Sequence, residues 1–164
     1  MKFEKKDLNL KDGFRKEWVM TNGLGAICSS TIIGANTRRY HGLLVAPLMQ
    51  PARRHLFISK VDESIEIGNE RFNLYTNVCR NYVSDGYKYL ESFEKTYIPK
   101  FQFDVNGIKI EKQVSMVFEK NIVVVTYKIY NKQENIKLIL TPILNFRDFH
   151  DLTTNYRFSL KQKI

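Results

Sequence analysis

Short apolar runs separated by two-residue turn signals restrict this chain more than any other feature. In Ser64–Leu74 the apolar residues alternate on both sides of Gly68-Asn69, as a two-residue hairpin with one buried face requires. Phe101–Val105 and Ile108–Glu111 flank Asn106-Gly107 in the same way, and Ile122–Tyr130 and Ile136–Pro142 are separated by a polar turn at Asn131 to Asn135. Both residues of an Asn-Gly pair tolerate positive φ, so Asn22-Gly23 also reads as a tight hairpin turn. There is little helix signal anywhere. Many strands at short spacing predict an all-β fold, an antiparallel two-sheet sandwich.

One stretch departs from this simple alternation. Between Thr31-Ile32-Ile33 and Leu43-Leu44-Val45-Ala46, which read as buried strands, lies Asn36-Thr37-Arg38-Arg39-Tyr40-His41-Gly42. A polar, cationic and aromatic heptad between two core runs is a loop or strand end, and loops held by a rigid sheet are where binding groups usually sit. Each residue also has a structural reading: arginines on carbonyls or acids, a tied-off tyrosine, a satisfied buried histidine.

The remaining composition narrows the function classes. A chain of 164 residues is one domain by size and can bury a core. The net charge of +9 permits a polyanion partner, but the basic residues are scattered among the strands, so a solvated basic surface is expected. Cys28 and Cys79 are too few for a disulfide framework or a zinc cluster, and His41, His55 and His150 lack ligand spacing, so no metal or cofactor is expected. Cys28 reads as a small core residue. No apolar run is long enough for a membrane helix and the start carries no apolar targeting core, which makes the cytoplasm the expected compartment. Asp62-Glu63, just after the strand His55–Val61, reads as a solvated turn, and residues 1–16 as a lead-in or edge strand.

A glycosidase needs two carboxyl groups across the scissile bond. The best local candidate is Arg147-Asp148-Phe149-His150-Asp151, yet neighbours in an extended loop point in different directions, and Asp148 has Arg147, Arg38 or Arg39 as ready partners. No catalytic residue is therefore assigned.

Glu17-Trp18, Asn22-Gly23-Leu24-Gly25 and Asn36 through Leu44, followed by Leu56 through Glu63, resemble the opening signature of the N-terminal domain of bacterial and archaeal glycogen debranching enzymes. Ala26 and Ser30 stand where that family usually has glycine. Asp85–Leu90 with Phe93, Gly107, Glu111-Lys112, Tyr127 and Leu138 through Asp148 are similar to its later blocks. The resemblance implies a sandwich of the galactose-mutarotase-like type, followed in the whole enzyme by a helical toroid that carries the hydrolase acids. It makes residues 1–164 a single domain, an N-terminal piece of an amylo-α-1,6-glucosidase whose partners are that catalytic domain and an α-glucan such as glycogen or a maltooligosaccharide. The expected substrate-binding residues are Asn36, Arg38, Arg39, Tyr40, His41, Arg147, Asp148 and His150. Two other classes stay open: a stand-alone carbohydrate-binding module, and a basic β-domain for nucleic acid.

Overall fold

The computed structural model describes residues 1–49, 53–130, 135–152 and 161. Its described strands are β1 (Lys2–Glu4), β2 (Glu17–Thr21), β3 (Ile27–Thr31), β4 (Gly42–Pro47), β5 (Arg54–Ile67), β6 (Glu70–Asn73), β7 (Val78–Cys79), β8 (Tyr82–Val83), β9 (Leu90–Lys95), β10 (Pro99–Val105), β11 (Ile108–Met116), β12 (Val123–Tyr130) and β13 (Ile136–Asp148). One sheet runs β1-β9-β10-β11-β12 and the other β13-β5-β4-β3-β2, with β6 also on β5 and β7 paired with β8 apart. The fold is the expected all-β antiparallel sandwich. Residues 1–16 supply the edge strand β1, a 3-10 turn and the four-residue helix α1 (Leu10–Gly13), whose start Asn9 caps through the Asp12 amide.

The turn chemistry explains the meander. Val105 faces Ile108 directly, with Asn106 and Gly107 both at positive φ, 52° and 85°. Ile67 faces Glu70 across Gly68-Asn69, the two-residue hairpin that the alternation predicts. Asn22-Gly23 behaves differently from expectation. Thr21 pairs with Ile27, so residues 22–26 form a five-residue loop in which Gly23 and Gly25, not Asn22, take positive φ. The buried Asn22 side chain is what closes it. Its Oδ1 accepts from the Leu24 and Ala26 amides, while its Nδ2 donates to the Lys120 carbonyl and to Asn121, which fastens this loop to the segment before β12. Ile32 and Ile33 are buried as expected but lie in a turn after β3. The polar turn at Asn131 lies outside the described residues except for Asn135.

The core is contributed by both sheets. Trp18 of β2 meets Phe101 of β10 edge-on at 6.4 Å between ring centroids, and Phe101 meets Phe93 of β9 at 4.8 Å. Ile65, Val105, Ile110 and Val114 complete it, all essentially without exposure. Burial also pushes the Cys28 thiol up to about 12, an inert core group. Pro142 stands opposite Val61 in β13, which is the outermost strand of its sheet among the described residues.

Asp62-Glu63 is no solvated turn. Both lie inside β5, a continuous strand of fourteen residues, and Glu63 is 4% exposed. Its Oε1 accepts from Lys112 Nζ of β11 and, at 2.7 Å, from the Tyr127 hydroxyl of β12, so a carboxylate of one sheet is clasped by two donors of the other. Burial, followed by the neighbouring Glu63 charge, pushes the Tyr127 phenol far above its ordinary value, which keeps it a donor. Beside it, Lys60 reaches the Thr76 carbonyl at 3.0 Å and Asn77 Oδ1 at 2.8 Å, tying residues 76–77 to β5.

Removing one member of a buried pair leaves an uncompensated charge, which costs about 3–5 kcal/mol. Lys112→Met is expected to lower the unfolding free energy in urea by that order, and adding Glu63→Gln to recover most of it. A loss under about 1 kcal/mol would place Glu63 among solvated ion pairs.

Candidate functional site

The signature heptad leaves β3, crosses to β4 and is pinned at its root. Thr31 Oγ1 accepts from the Ala35 amide at 3.0 Å and donates to the Ala35 carbonyl at 2.8 Å, closing a turn that Gly34 enters at φ 72°. Asn36 spends its amide inside the sheet, Nδ2 donating to the Ser59 carbonyl and Oδ1 accepting from Ser30. His41 is buried, and its Nδ1 accepts from the Thr37 amide at 3.0 Å, so the ring proton sits on Nε2, 3.6 Å from Glu17 Oε1. A Cβ on Gly42 would lie 2.3 Å from Leu56 Cδ1, which explains glycine where the loop re-enters β4.

Beyond these roots the loop turns outward. Arg38 Nε donates to Glu17 Oε1 at the start of β2, with the Arg38 side chain 62% exposed. Tyr40 is 41% exposed, its backbone carbonyl held by Ser29 Oγ. Arg39 Nη1 donates to the His150 carbonyl at 2.8 Å.

That last contact joins the second candidate segment. β13 runs antiparallel to β5 as far as Asp148 opposite His55, and the Phe149 amide then donates to the Arg54 carbonyl. This brings residues 147–151 against the heptad. Arg147 Nη2 donates to the Arg39 carbonyl, and Nη1 to the carbonyls of Asp148 and Asp151. Burial, then the nearby Arg39 charge, lowers the Arg147 pKa from its ordinary value. Asp148 Oδ1 accepts from the His150 amide, neither Arg38 nor Arg39 being its partner. The Tyr40 ring lies 4.7 Å from Phe149 and 5.8 Å from His150 between centroids, and its hydroxyl is 3.4 Å from His150 Nδ1.

Between the two loops and β2 lies an open groove of about 460 Å³, within the usual range for small-ligand sites. Its walls are Glu17, Val19, Arg38, Tyr40, Phe149 and His150, with His41 behind them. The cavity between the sheets, about 40 Å³, is too small for a sugar ring. A second open recess of about 410 Å³ is formed by residues of β9 to β12. Of the eight expected binding residues, Arg38, Tyr40, His41 and His150 line the groove, Arg39 flanks it, and Asn36, Arg147 and Asp148 brace the loops.

Residues 16–163 match the family described as glycogen debranching enzyme, N-terminal. The chain belongs to that family. No curated protein and no solved structure matches it.

Within this debranching-enzyme N-terminal domain, sequence reasoning misses two groups. Glu17 and Phe149 line the groove although no local rule marks either as a site residue, since only the meeting of β2 with the end of β13 reveals them. Glu63, Lys112 and Tyr127 stand far apart in sequence and converge only when the sheets stack. Glu17 and Glu63 fall in the opening signature blocks and Lys112 and Tyr127 in the later ones, which is the signal the sequence carries.

Burial is the largest influence on His41 and lowers its pKa, against the raising effect of Glu17. The unfolded chain, with a value near 6.5, therefore takes up the proton first. The resulting stability is fully present above that value and is lost as the pH falls toward and through the lower folded-state value. Urea midpoints measured from pH 8 to pH 5 are expected to fall more steeply for the wild type than for His41→Gln. Parallel curves would mean that His41 takes up its proton equally in both states.

Proposed function

We propose that this domain is the non-catalytic glucan-positioning part of a glycogen debranching enzyme, and that the groove between residues 36–42 and 147–151 holds an α-glucan segment for the hydrolytic domain of the same enzyme. The observation that carries this reading is that a half-exposed aromatic cluster, Tyr40 with Phe149 and His150, lines the same groove as the polar pair Glu17 and Arg38. An aromatic face takes up the apolar C–H surface of a pyranose, and a few convergent donors and acceptors orient its hydroxyls. The arginines fit neutral sugar hydroxyls here because Arg38 is already paired with a carboxylate.

The non-catalytic part rests on the state of the carboxylates. Glu17 is the carboxylate among the residues lining the groove, and it is engaged by Arg38. In the recess of β9 to β12, Glu91 accepts from Lys5, Asp104 from the Gly107 amide and Glu111 from Gln113. Each of these carboxylates is already engaged by a donor of its own chain, whereas glycoside hydrolysis needs one carboxyl as acid and another as base or nucleophile across the scissile bond. Docking on the hydrolytic domain is supported by β13, where Leu140, Ile143, Leu144 and Phe146 are each about two-fifths exposed along one outer strand.

Affinity electrophoresis through gels containing glycogen tests the reading. Retardation is expected for the wild type and, since an aromatic contact of this kind is worth about 1.5 kcal/mol, the apparent affinity of Tyr40→Ala should drop roughly tenfold. Equal mobility of the two proteins with and without glycogen would remove the groove from the reading, and glucose release from a limit dextrin by the chain alone would remove the non-catalytic assignment.

A further inference from the structure

The loop that fronts the groove is tied at one point by a ring nitrogen. Nδ1 of the buried His41 accepts from the Thr37 amide, which closes residues 37–41 into a turn whose exposed members include Arg38, Arg39 and Tyr40. A ring nitrogen accepts only while it carries no proton, and an imidazolium has a donor at both positions. The bond that holds the turn with neutral His41 therefore becomes two opposed donors when the ring is charged. On the ring's other side Nε2 stands 3.6 Å from Glu17 Oε1, whose present donor is Arg38 Nε. A positive ring draws that carboxylate toward itself, in competition with Arg38. Glu17 from β2 and Arg38 from its own loop are thus the charges that act on His41. β3 and β4 bring no ionisable group besides the Cys28 thiol, which stays protonated, and Lys60 of β5 is turned to Thr76 and Asn77. Arg39 and Arg147 donate to backbone carbonyls, Asp148 accepts the His150 amide, and the His150 ring faces the Tyr40 hydroxyl.

We propose that His41 is a proton-operated catch on the groove. Neutral, it pins the Thr37 amide and holds Arg38, Arg39 and Tyr40 at the groove's front; protonated, it turns to Glu17, lets Thr37 go and releases that front. The two arrangements differ by one proton and exchange one hydrogen bond, Thr37 amide to Nδ1, for another, Nε2 to the Glu17 carboxylate. Burial lowers the His41 pKa from its ordinary value of 6.5, against the opposing effect of Glu17, so the catch is closed at neutral pH and opens in the acid range below that value. The change is confined to the turn, because the root of the loop is held by groups that do not titrate in this range, Thr31 on Ala35 and Asn36 on the Ser59 carbonyl. A released turn gives up the Arg38 contact with Glu17, the Arg39 contact with the His150 carbonyl and the packing of Tyr40 on Phe149. Whatever is seated against Tyr40 and Arg38 at neutral pH loses its seat in acid. The inference concerns the loop itself and holds whether or not the groove takes a glucan.

Amide hydrogen exchange and nitrogen-15 NMR of the full chain from pH 8 to pH 5, with no sugar present, test the catch. The Leu24 and Ala26 amides serve as internal reference, since Asn22 holds them and has no proton to gain or lose in that range. The expected result is a neutral His41 ring protonated on Nε2 at pH 8, and a Thr37 amide whose protection falls roughly tenfold against the two reference amides on acidification, the size of one lost hydrogen bond. That fall is expected to share its midpoint with the His41 ring and not with the His150 ring. His41→Asn puts an acceptor oxygen near the place of Nδ1 but takes up no proton, so its Thr37 amide is expected to stay protected throughout. A wild-type Thr37 amide that keeps its protection down to pH 5, one that follows the His150 ring, or a fall that persists in folded His41→Asn would overturn the proposal. The wild-type titration decides the matter even where His41→Asn does not fold.

Discussion

A carboxylate shut between two sheets has to be neutralised where it lies, and Glu63 finds its partners 49 and 64 residues further along the chain. Lys112 and Tyr127 lie on neighbouring strands of the other sheet, in register with each other. Apolar contacts alone tolerate some sliding of one sheet over the other, whereas a single charged point with two directional donors does not. The rest of the molecule is built around the strand that carries it. β5 pairs with β13 on one side and with β4 and β6 on the other, so the position of Glu63 sets the two strands whose ends become the groove.

The groove in turn separates rigid backing from exposed front. Asn36, His41 and Arg147 are consumed by carbonyls, amides and hydroxyls of the loops themselves, which fixes the backbone of both segments. Tyr40, Arg38 and one oxygen of Glu17 are left facing solvent. That division reconciles the two meanings that a polar heptad between core strands carries, because some members of the run are tied into the loops while others face the groove. It also bears on the binding free energy. On the proposed reading, loops already ordered by their own hydrogen bonds lose little freedom when a ligand binds.

The sequence was legible where a local rule acts alone. Gly68-Asn69 and Asn106-Gly107 turn where alternation says they should, because a two-residue hairpin needs nothing beyond its own backbone. The sandwich follows from counting such turns. Asn22-Gly23 shows the limit of the rule. The dipeptide has the right conformational tolerance, but the Asn22 side chain is captured by a loop 98 residues away, and tertiary demand widens the turn. Asp62-Glu63 fails for the same reason in reverse, since two acids look solvent-bound until a lysine and a tyrosine arrive from the other sheet. The site shows this divide as well. The heptad and the Arg147–Asp151 segment each announce themselves by composition, yet nothing local says that they touch, or that Glu17 stands between Arg38 and His41.

Pro142 gives the outer strand a property that its apolar side chains alone would deny it. A proline has no backbone donor to offer, and within a sheet it is tolerated where the missing donor faces away from the paired neighbour. Opposite Val61, midway along β13, it interrupts the outward row of hydrogen-bonding groups at the strand that carries Leu140, Ile143 and Leu144. A long sticky margin of this kind would otherwise template association between copies leaving the ribosome. One ring thus breaks the backbone row of this outer strand while leaving its apolar side chains exposed.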